Sequence, residues 1–219
     1  MIKLVVFDWN GTLLADAKAC VDGVNKQLEV LNRPPINLKD YQERYDVPHW
    51  HFYKTFGIEP EEIKAKSLRI AEAFHAEYEP KAAHARTRSG ARPLLEKLAT
   101  KNITRIVLSN HTIEGIYLHL ERLKLTHHFD VVLANENIGM GHFKGKQEKL
   151  EIYLETYGVQ ARSVVIVGDT VEEVKIGKNL GLKTVAITGG YNSTKRLKAA
   201  KPDVLVHSLH EIIPAIEEF

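Results

Sequence analysis

Short apolar runs rich in Val and Ile recur along the chain: Ile2–Phe7, Thr104–Leu108, Val131–Leu133, Val164–Val167, Thr184–Ile187 and Val204–Val206. Each is too short for a helix and rich in β-branched residues, so each is predicted to be a buried strand. Between the later runs the apolar period changes to that of a helix. Pro93–Ala99 sets Leu94, Leu95 and Leu98 on one side, Glu114–Leu123 gathers Ile116, Leu120 and Leu123, and Gln147–Tyr157 gathers Leu150, Tyr153, Leu154 and Tyr157. Strands alternating with helices imply right-handed crossovers and a doubly wound parallel sheet. Near-continuous apolar strands suit a sheet covered on both faces.

The stretch from Asp16 to Ala85 breaks this rhythm. It carries helical patterns (Ala19–Leu31, Leu38–Arg44, Glu61–Tyr78) separated by Pro34-Pro35, Pro48 and the Gly57–Pro60 turn, and no convincing strand. Glu59-Pro60-Glu61-Glu62 is a favourable helix start, with proline early and acids in the first turn. The predicted organisation is an α/β core made of residues 1–15 and 86–219, with an α-helical cap, residues 16–85, inserted after the first strand.

Composition narrows the picture. At 219 residues the chain can bury a sizeable core. A net charge of +2 gives no electrostatic case for nucleic acid or a membrane surface as partner. The single Cys20 cannot form an internal disulfide, which suits a reducing compartment, and it reads as packing rather than as a nucleophile. The apolar run Leu4–Phe7 is too short for a signal peptide and is interrupted by Asp8. The expectation is a soluble cytoplasmic protein, monomer or homodimer.

The chemistry gathers where the strands end. In an open parallel sheet, ligands bind beyond the carboxyl ends of the strands. After the first strand comes Asp8; after Thr104–Leu108 come Ser109 and Asn110; after Val164–Val167 come Gly168, Asp169 and Thr170, then Glu172 and Glu173; Lys144-Gly145-Lys146 opens a helix. Acids, a hydroxyl, an amide and a lysine in one crevice suit phosphoryl transfer. A carboxylate attacks phosphorus and divides the reaction into two easier steps. A hard cation such as Mg²⁺, held by Asp8 and Asp169, offsets the repulsion between that carboxylate and a phosphate dianion. Ser109, Asn110 and a lysine then bind phosphoryl oxygens, and Gly11 lets the backbone approach the ligand.

In order, "DWNGTLL", "VLSNH", "KGKQEKLEIYLETYGV" and "VIVGDTVEEVKIGKNLGLKTVAI" resemble the four motifs of the haloacid dehalogenase superfamily. The tail "KPDVLVHSLHEI" resembles its phosphoglycolate-phosphatase-like branch, and the resemblance covers residues 1–15 and about 88–219. It implies a Rossmann-like core with a helical cap and Mg²⁺-dependent hydrolysis of a small phosphorylated metabolite. Asp8 then corresponds to the nucleophile that becomes an aspartyl-phosphate. Ser109 corresponds to the phosphate-binding hydroxyl, and Gly11, Thr12 and Asn110 to its neighbours around the phosphate. Asp169 corresponds to the metal ligand, joined by Asp8, by the Asn10 carbonyl and by Glu173, at the position of the family's second acid. Counting back from Tyr157-Gly158-Val159, the family's lysine falls on Lys144, with Lys146 as the alternative.

Asn10 departs from the resemblance. Phosphatases of that family usually carry Asp two residues after the nucleophile, where it protonates the leaving oxygen. An amide has no titratable proton near neutral pH, and loss of a positioned acid/base costs roughly 10²–10⁴ in rate. Four readings remain: slow ester hydrolysis or a proton from elsewhere, such as a cap histidine; hydrolysis of activated phosphates such as acyl phosphates; phosphate binding without turnover; or deamidation of Asn10-Gly11 to Asp. A phosphonoacetaldehyde-hydrolase-like reaction needs a cap lysine, for which only Lys54 is near. In the cap, Arg44, His49, Trp50 and His51 are candidate contacts for a small anion, whereas Trp50, Phe52, Tyr53 and Phe56 also suit the cap's own core.

Overall fold

A computed structural model describes residues 1–136 and 145–219 of the chain. All six predicted strands are present: β1 (Leu4–Phe7), β2 (Thr104–Thr112), β3 (Val131–Asn135), β4 (Val164–Gly168), β5 (Lys183–Ile187) and β6 (Val204–Val206). They form one parallel sheet in the order β3-β2-β1-β4-β5-β6. Every residue of β1 and β4 is buried, as expected of strands covered on both faces.

Eleven helices accompany the sheet among the described residues. The helices α1 (Ala17–Val30), α2 (Leu38–Arg44), α3 (Trp50–Lys54), α4 (Pro60–Ala65) and α5 (Ser67–Ala82) lie between β1 and β2 in sequence. The rest are α6 (Ala91–Thr100), α7 (Ile113–Arg122), α8 (Lys146–Thr156), α9 (Val171–Leu180), α10 (Thr194–Ala200) and α11 (Ile212–Glu217). The helical pattern read as continuous over Glu61–Tyr78 is two helices, broken at Lys66, whose φ −114°, ψ 10° is not helical. The short α3, inside the aromatic run after Pro48, and α9 and α11 lie outside the helical periodicity read from the sequence. β2 runs on to Thr112, with an irregularity in its pairing to β3 after Leu108, so Ser109 and Asn110 belong to the strand itself.

The helices of the insert share an apolar cluster of their own, including Val24, Leu28, Tyr41, Phe52, Ile58, Ile70 and Tyr78. Gly23 sets how closely α1 and α5 approach. A Cβ there would lie 2.8 Å from the Phe74 ring, so any larger residue would push the helices apart.

Register decides where the polar residues fall. Phe7 pairs with Val107 on one side and Val167 on the other. One step on, Asp8 stands level with Leu108 and Gly168, and one step further come Ser109 and Asp169. The chain passes from β1 to β2 and β3 on one side and then crosses from β3 to β4 on the other side of β1, which opens a crevice at this point.

Candidate active site

Asp8 is buried, and its Oδ1 accepts a 2.6 Å hydrogen bond from Lys146 Nζ. Its Oδ2 accepts none among the described residues. Lys146 is the first residue of α8, and the same ammonium reaches Glu173 Oε1 at 2.6 Å and Glu172 Oε2 at 3.4 Å. Burial opposes the charge on Lys146, but Asp8, Glu173 and Glu172 outweigh it and hold the pKa well above the usual lysine range. The alternative lysine, Lys144, lies outside the described residues.

Asp169 is fully buried in a slot made of backbone. Its Oδ1 accepts from Thr12 Oγ1 at 2.6 Å and its Oδ2 from the Tyr191 amide at 2.6 Å. Gly11, at φ +78°, makes the slot: a Cβ there would sit 2.3 Å from Asp169 Oδ2. Burial, then the Glu173 charge, raises Asp169 to about 6. Burial likewise raises Asp8 well above the carboxylate range, helped by Glu173 and Asp169 and opposed by Lys146.

Glu173 has both oxygens engaged. Oε1 holds Lys146, and Oε2 accepts from the Thr170 amide and hydroxyl in a capping box that starts α9. It therefore fixes the lysine, as well as the helix. Thr12 is fully buried with its hydroxyl on Asp169, so that hydroxyl braces the carboxylate. Asn110 turns its amide to Glu172 Oε2 at 3.1 Å. The Ser109 hydroxyl accepts from the His111 amide at 3.0 Å and lies 3.4 Å from Asn10 Oδ1.

A cavity of about 330 Å³ opens between this cluster and the insert. Asp8, Asn10, Ser109, Asn110, Lys146 and Glu172 line its floor, while Gly11, Thr12, Asp169 and Glu173 lie behind it. Of the insert candidates only His49 reaches the cavity. Arg44 lies over the Phe56 ring and bonds the Thr55 carbonyl, His51 faces Asp46 at 3.9 Å, and Trp50 is 44% exposed. Phe52 and Tyr53 are buried, as a core reading requires, and also form cavity wall. Lys54 is exposed and does not line the cavity, so it offers no amine for a Schiff base. Cys20 is buried with Sγ 3.2 Å from the Tyr41 hydroxyl, and burial pushes its thiol up to about 12, consistent with an inert packing role.

The sequence reading missed Asp16. This carboxylate is buried and accepts from the Gly11 amide, the Asn10 amide (2.8 Å), Tyr78 (2.7 Å) and Tyr191 (2.9 Å). Burial raises its pKa in spite of these four bonds. The network supplies a physical reason for Asn10: the position must donate to Asp16, and an ionised Asp there would oppose a second carboxylate. The only sequence signal was an acid directly after Leu13-Leu14-Ala15, and its partners Tyr78 and Tyr191 are far away in the chain.

The donor set fits a hard divalent cation. Asp8, Glu172 and Glu173 gather around the single Lys146 ammonium with Asp169 behind them, and burial, reinforced by neighbouring carboxylates, raises the pKa values of Asp8, Asp169 and Glu172. Among the described residues no three His, Cys, Asp or Glu side chains form a metal cage by themselves. An ion here would also use backbone and water oxygens, which is the habit of Mg²⁺.

The family model of the haloacid dehalogenase-like hydrolases matches residues 5–187. The chain belongs to that family. It is 25% identical over 217 residues to a phosphoglycolate phosphatase of Synechococcus elongatus, covering 99% of this chain and 98% of the other. It is 26% identical to the probable phosphatase IndB of Dickeya dadantii, covering 98% and 94%. The fold matches the crystal structure of a predicted phosphatase from Clostridium acetobutylicum over the full length of both chains, with a TM-score of 0.82 at 19% identity. This hydrolase carries its acids at the strand ends, with Asn10 two residues after Asp8.

Proposed function

We propose that this hydrolase is a phosphatase that cleaves a small phosphate monoester through an aspartyl-phosphate on Asp8, with Mg²⁺ as cofactor. The observation that carries the reading is the Asp8–Lys146 pair at the floor of the cavity, with Ser109 beside it and Asp169 behind. Relatives named as phosphatases along nearly the whole chain support it.

Oδ2 of Asp8, the oxygen not occupied by Lys146, attacks phosphorus as the ester P–O bond breaks. The alkoxide leaves and takes a proton from solvent. Water then attacks the aspartyl-phosphate and returns Asp8 and inorganic phosphate. Lys146 and the Ser109 hydroxyl hold phosphoryl oxygens through both steps. Glu173 keeps Lys146 aimed at Asp8. Asp8, Asp169 and the Asn10 carbonyl would hold Mg²⁺, which when bound would supply charge neutralisation at the phosphoryl group. Residues 16–85 act as a cap that excludes water and presents the leaving-group wall.

Asn10 supplies no proton, because an amide has none that titrates near neutral pH; its N–H groups are engaged by Asp16 and Tyr78. Departure of the leaving oxygen is therefore unassisted by that side chain, and turnover is slower than with an acid there. The test is hydrolysis of p-nitrophenyl phosphate with Mg²⁺, comparing the parent with Asp8→Asn. Turnover by the parent and loss in the variant is the expected result; equal rates refute the phosphatase.

A further inference from the structure

The insert side of the cavity is unusual in its chemistry. Val24, Tyr41, Phe52, Tyr53, Phe74 and Tyr78 form half of that wall, and all the insert residues are described. No Lys or Arg of the insert lines the cavity. The polar exceptions are neutral or already paired. Gln27 reaches the Ile70 carbonyl at 3.4 Å, and His75 Nδ1 lies 2.9 Å from Glu79 Oε1. Although His49 keeps solvent contact, its ring packs on Tyr45, and desolvation, then the Lys146 charge, pushes it toward the neutral form. The tyrosine hydroxyls of Tyr78 and Tyr191 are committed to Asp16, and that of Tyr41 to Cys20.

Carboxylates stand behind that wall. Asp16 lies behind Tyr78 and Tyr191, and Glu79 pairs with His75. Lys146, the only Lys or Arg lining the cavity among the described residues, is spent on Asp8 and Glu173 at the phosphate end. A second anionic group on a substrate would be desolvated against aromatic rings, with no Lys or Arg among the described residues of that wall to meet it. Taking a carboxylate out of water without a partner is strongly unfavourable. An aromatic or similar apolar group would instead bury area and make edge contacts with the rings.

We infer that the cap wall selects phosphate monoesters whose leaving group is uncharged and aromatic, and rejects those whose leaving group carries a carboxylate. The inference rests on the phosphatase reading for its substrate class, and it separates this chain from relatives whose name specifies phosphoglycolate.

Benzyl phosphate and 2-phosphoglycolate are the probes. Both are esters of primary alcohols, so a preference reports the wall and not the reactivity of the leaving group. With Mg²⁺ present, kcat/KM for benzyl phosphate is expected to exceed that for phosphoglycolate by at least about 100-fold, the scale of an uncompensated buried carboxylate. Ala71→Lys, on a half-buried cavity position of α5, is expected to narrow that ratio by about tenfold or more by supplying a cation. Phosphoglycolate turned over as well as benzyl phosphate or better would overturn the inference and leave the phosphatase reading intact. A ratio unmoved by Ala71→Lys would equally deny that the wall decides. Absence of turnover with both esters would defeat the phosphatase reading instead. Binding of the non-hydrolysable benzylphosphonate and phosphonoacetate, followed by calorimetry, then decides the inference. Tighter binding of benzylphosphonate sustains it, and tighter or equal binding of phosphonoacetate ends it.

Discussion

The two walls of the cavity are built on opposite principles. The floor, at the strand ends, is crowded with carboxyl groups that share one lysine: Lys146 lies within 2.6 Å of both Asp8 and Glu173. The roof, from the insert, is aromatic and carries no Lys or Arg. In the floor, position is set by backbone register and charge, so each group depends on its neighbours. In the roof, position is set by packing, so one ring can be exchanged for another with modest cost. Chemistry that must stay constant sits on the sheet, while the part that meets the variable half of a substrate sits on helices outside it.

The most severe way to test the floor is Asp8→Asn. Activity is expected to fall by more than about 10⁴-fold, the scale of losing a nucleophile. Stability is expected to hold or rise, because the substitution removes a carboxyl whose pKa burial has raised. A thermal melt beside a p-nitrophenyl phosphate assay checks both. A variant that loses activity only by unfolding would contradict the contrast between function and stability drawn here.

Lys146→Met breaks the floor differently. It leaves Asp8, Glu172 and Glu173 buried without their shared counter-charge, and the cost is about 3–5 kcal/mol by urea denaturation. The matching change in the roof, Phe74→Leu, keeps an apolar group of smaller size and is expected to cost less, about 1–2 kcal/mol. Equal costs at the two walls would mean that the floor is not electrostatically interdependent. Mg²⁺ is expected to stabilise Lys146→Met more than the parent, because the variant carries the larger unbalanced negative charge.

Asn10→Asp probes the junction between the walls. In the parent the amide donates 2.8 Å to Asp16 Oδ2. The substitution sets two carboxyl groups against each other, which then share a proton at neutral pH. A stability loss of about 1–3 kcal/mol is expected, from replacing a donor by an acceptor in a buried network. The loss is larger at pH 8 than at pH 5, where the shared proton is retained. Denaturant midpoints at the two pH values check it. An unchanged midpoint at pH 8 would show that Asp16 does not require the amide.

The same contrast explains what could be read from the sequence. Strand ends are legible because a buried strand is a run of Val and Ile and the first polar residue after it is forced to the sheet's edge. Asp8, Ser109 and Asp169 were found in that way. Thr12 was placed on the ligand by its motif, but which way a side chain turns depends on register, and the structure turns it onto Asp169. Counting favours Lys144, which lies outside the described residues; of the two lysines the alternative, Lys146, opens α8 and stands on Asp8. Asp16, Tyr78 and Tyr191 were invisible, because their association joins a strand-end turn, the end of a helix in the insert and a loop after β5. The cap wall was illegible for the same reason: Phe52 and Phe74 are ordinary core residues until the fold reveals that a cavity lies beside them.

His119 lies on the seam between the two regions and gives the smallest effect. Its ring meets Trp9 edge-on at 6.3 Å and lies 6.1 Å from His111, and its Nδ1 has no partner among the described residues. Burial lowers its pKa from 6.5 to about 4, His111 and Arg122 add to the shift, and Glu79 opposes it. Between those values the unfolded chain binds a proton that the folded chain refuses. The contribution of this site to stability is therefore complete above pH 6.5, declines as pH falls from 6.5 to about 4, and has vanished below that. His119→Asn should flatten this acid-side decline. Each kcal/mol preserved at pH 4.5 appears as roughly 2–4 °C in Tm for a chain of this length. Parallel slopes in parent and variant between pH 7 and 4 would show that the seam admits a charged imidazole, and would place the boundary between the ionic floor and the neutral roof elsewhere.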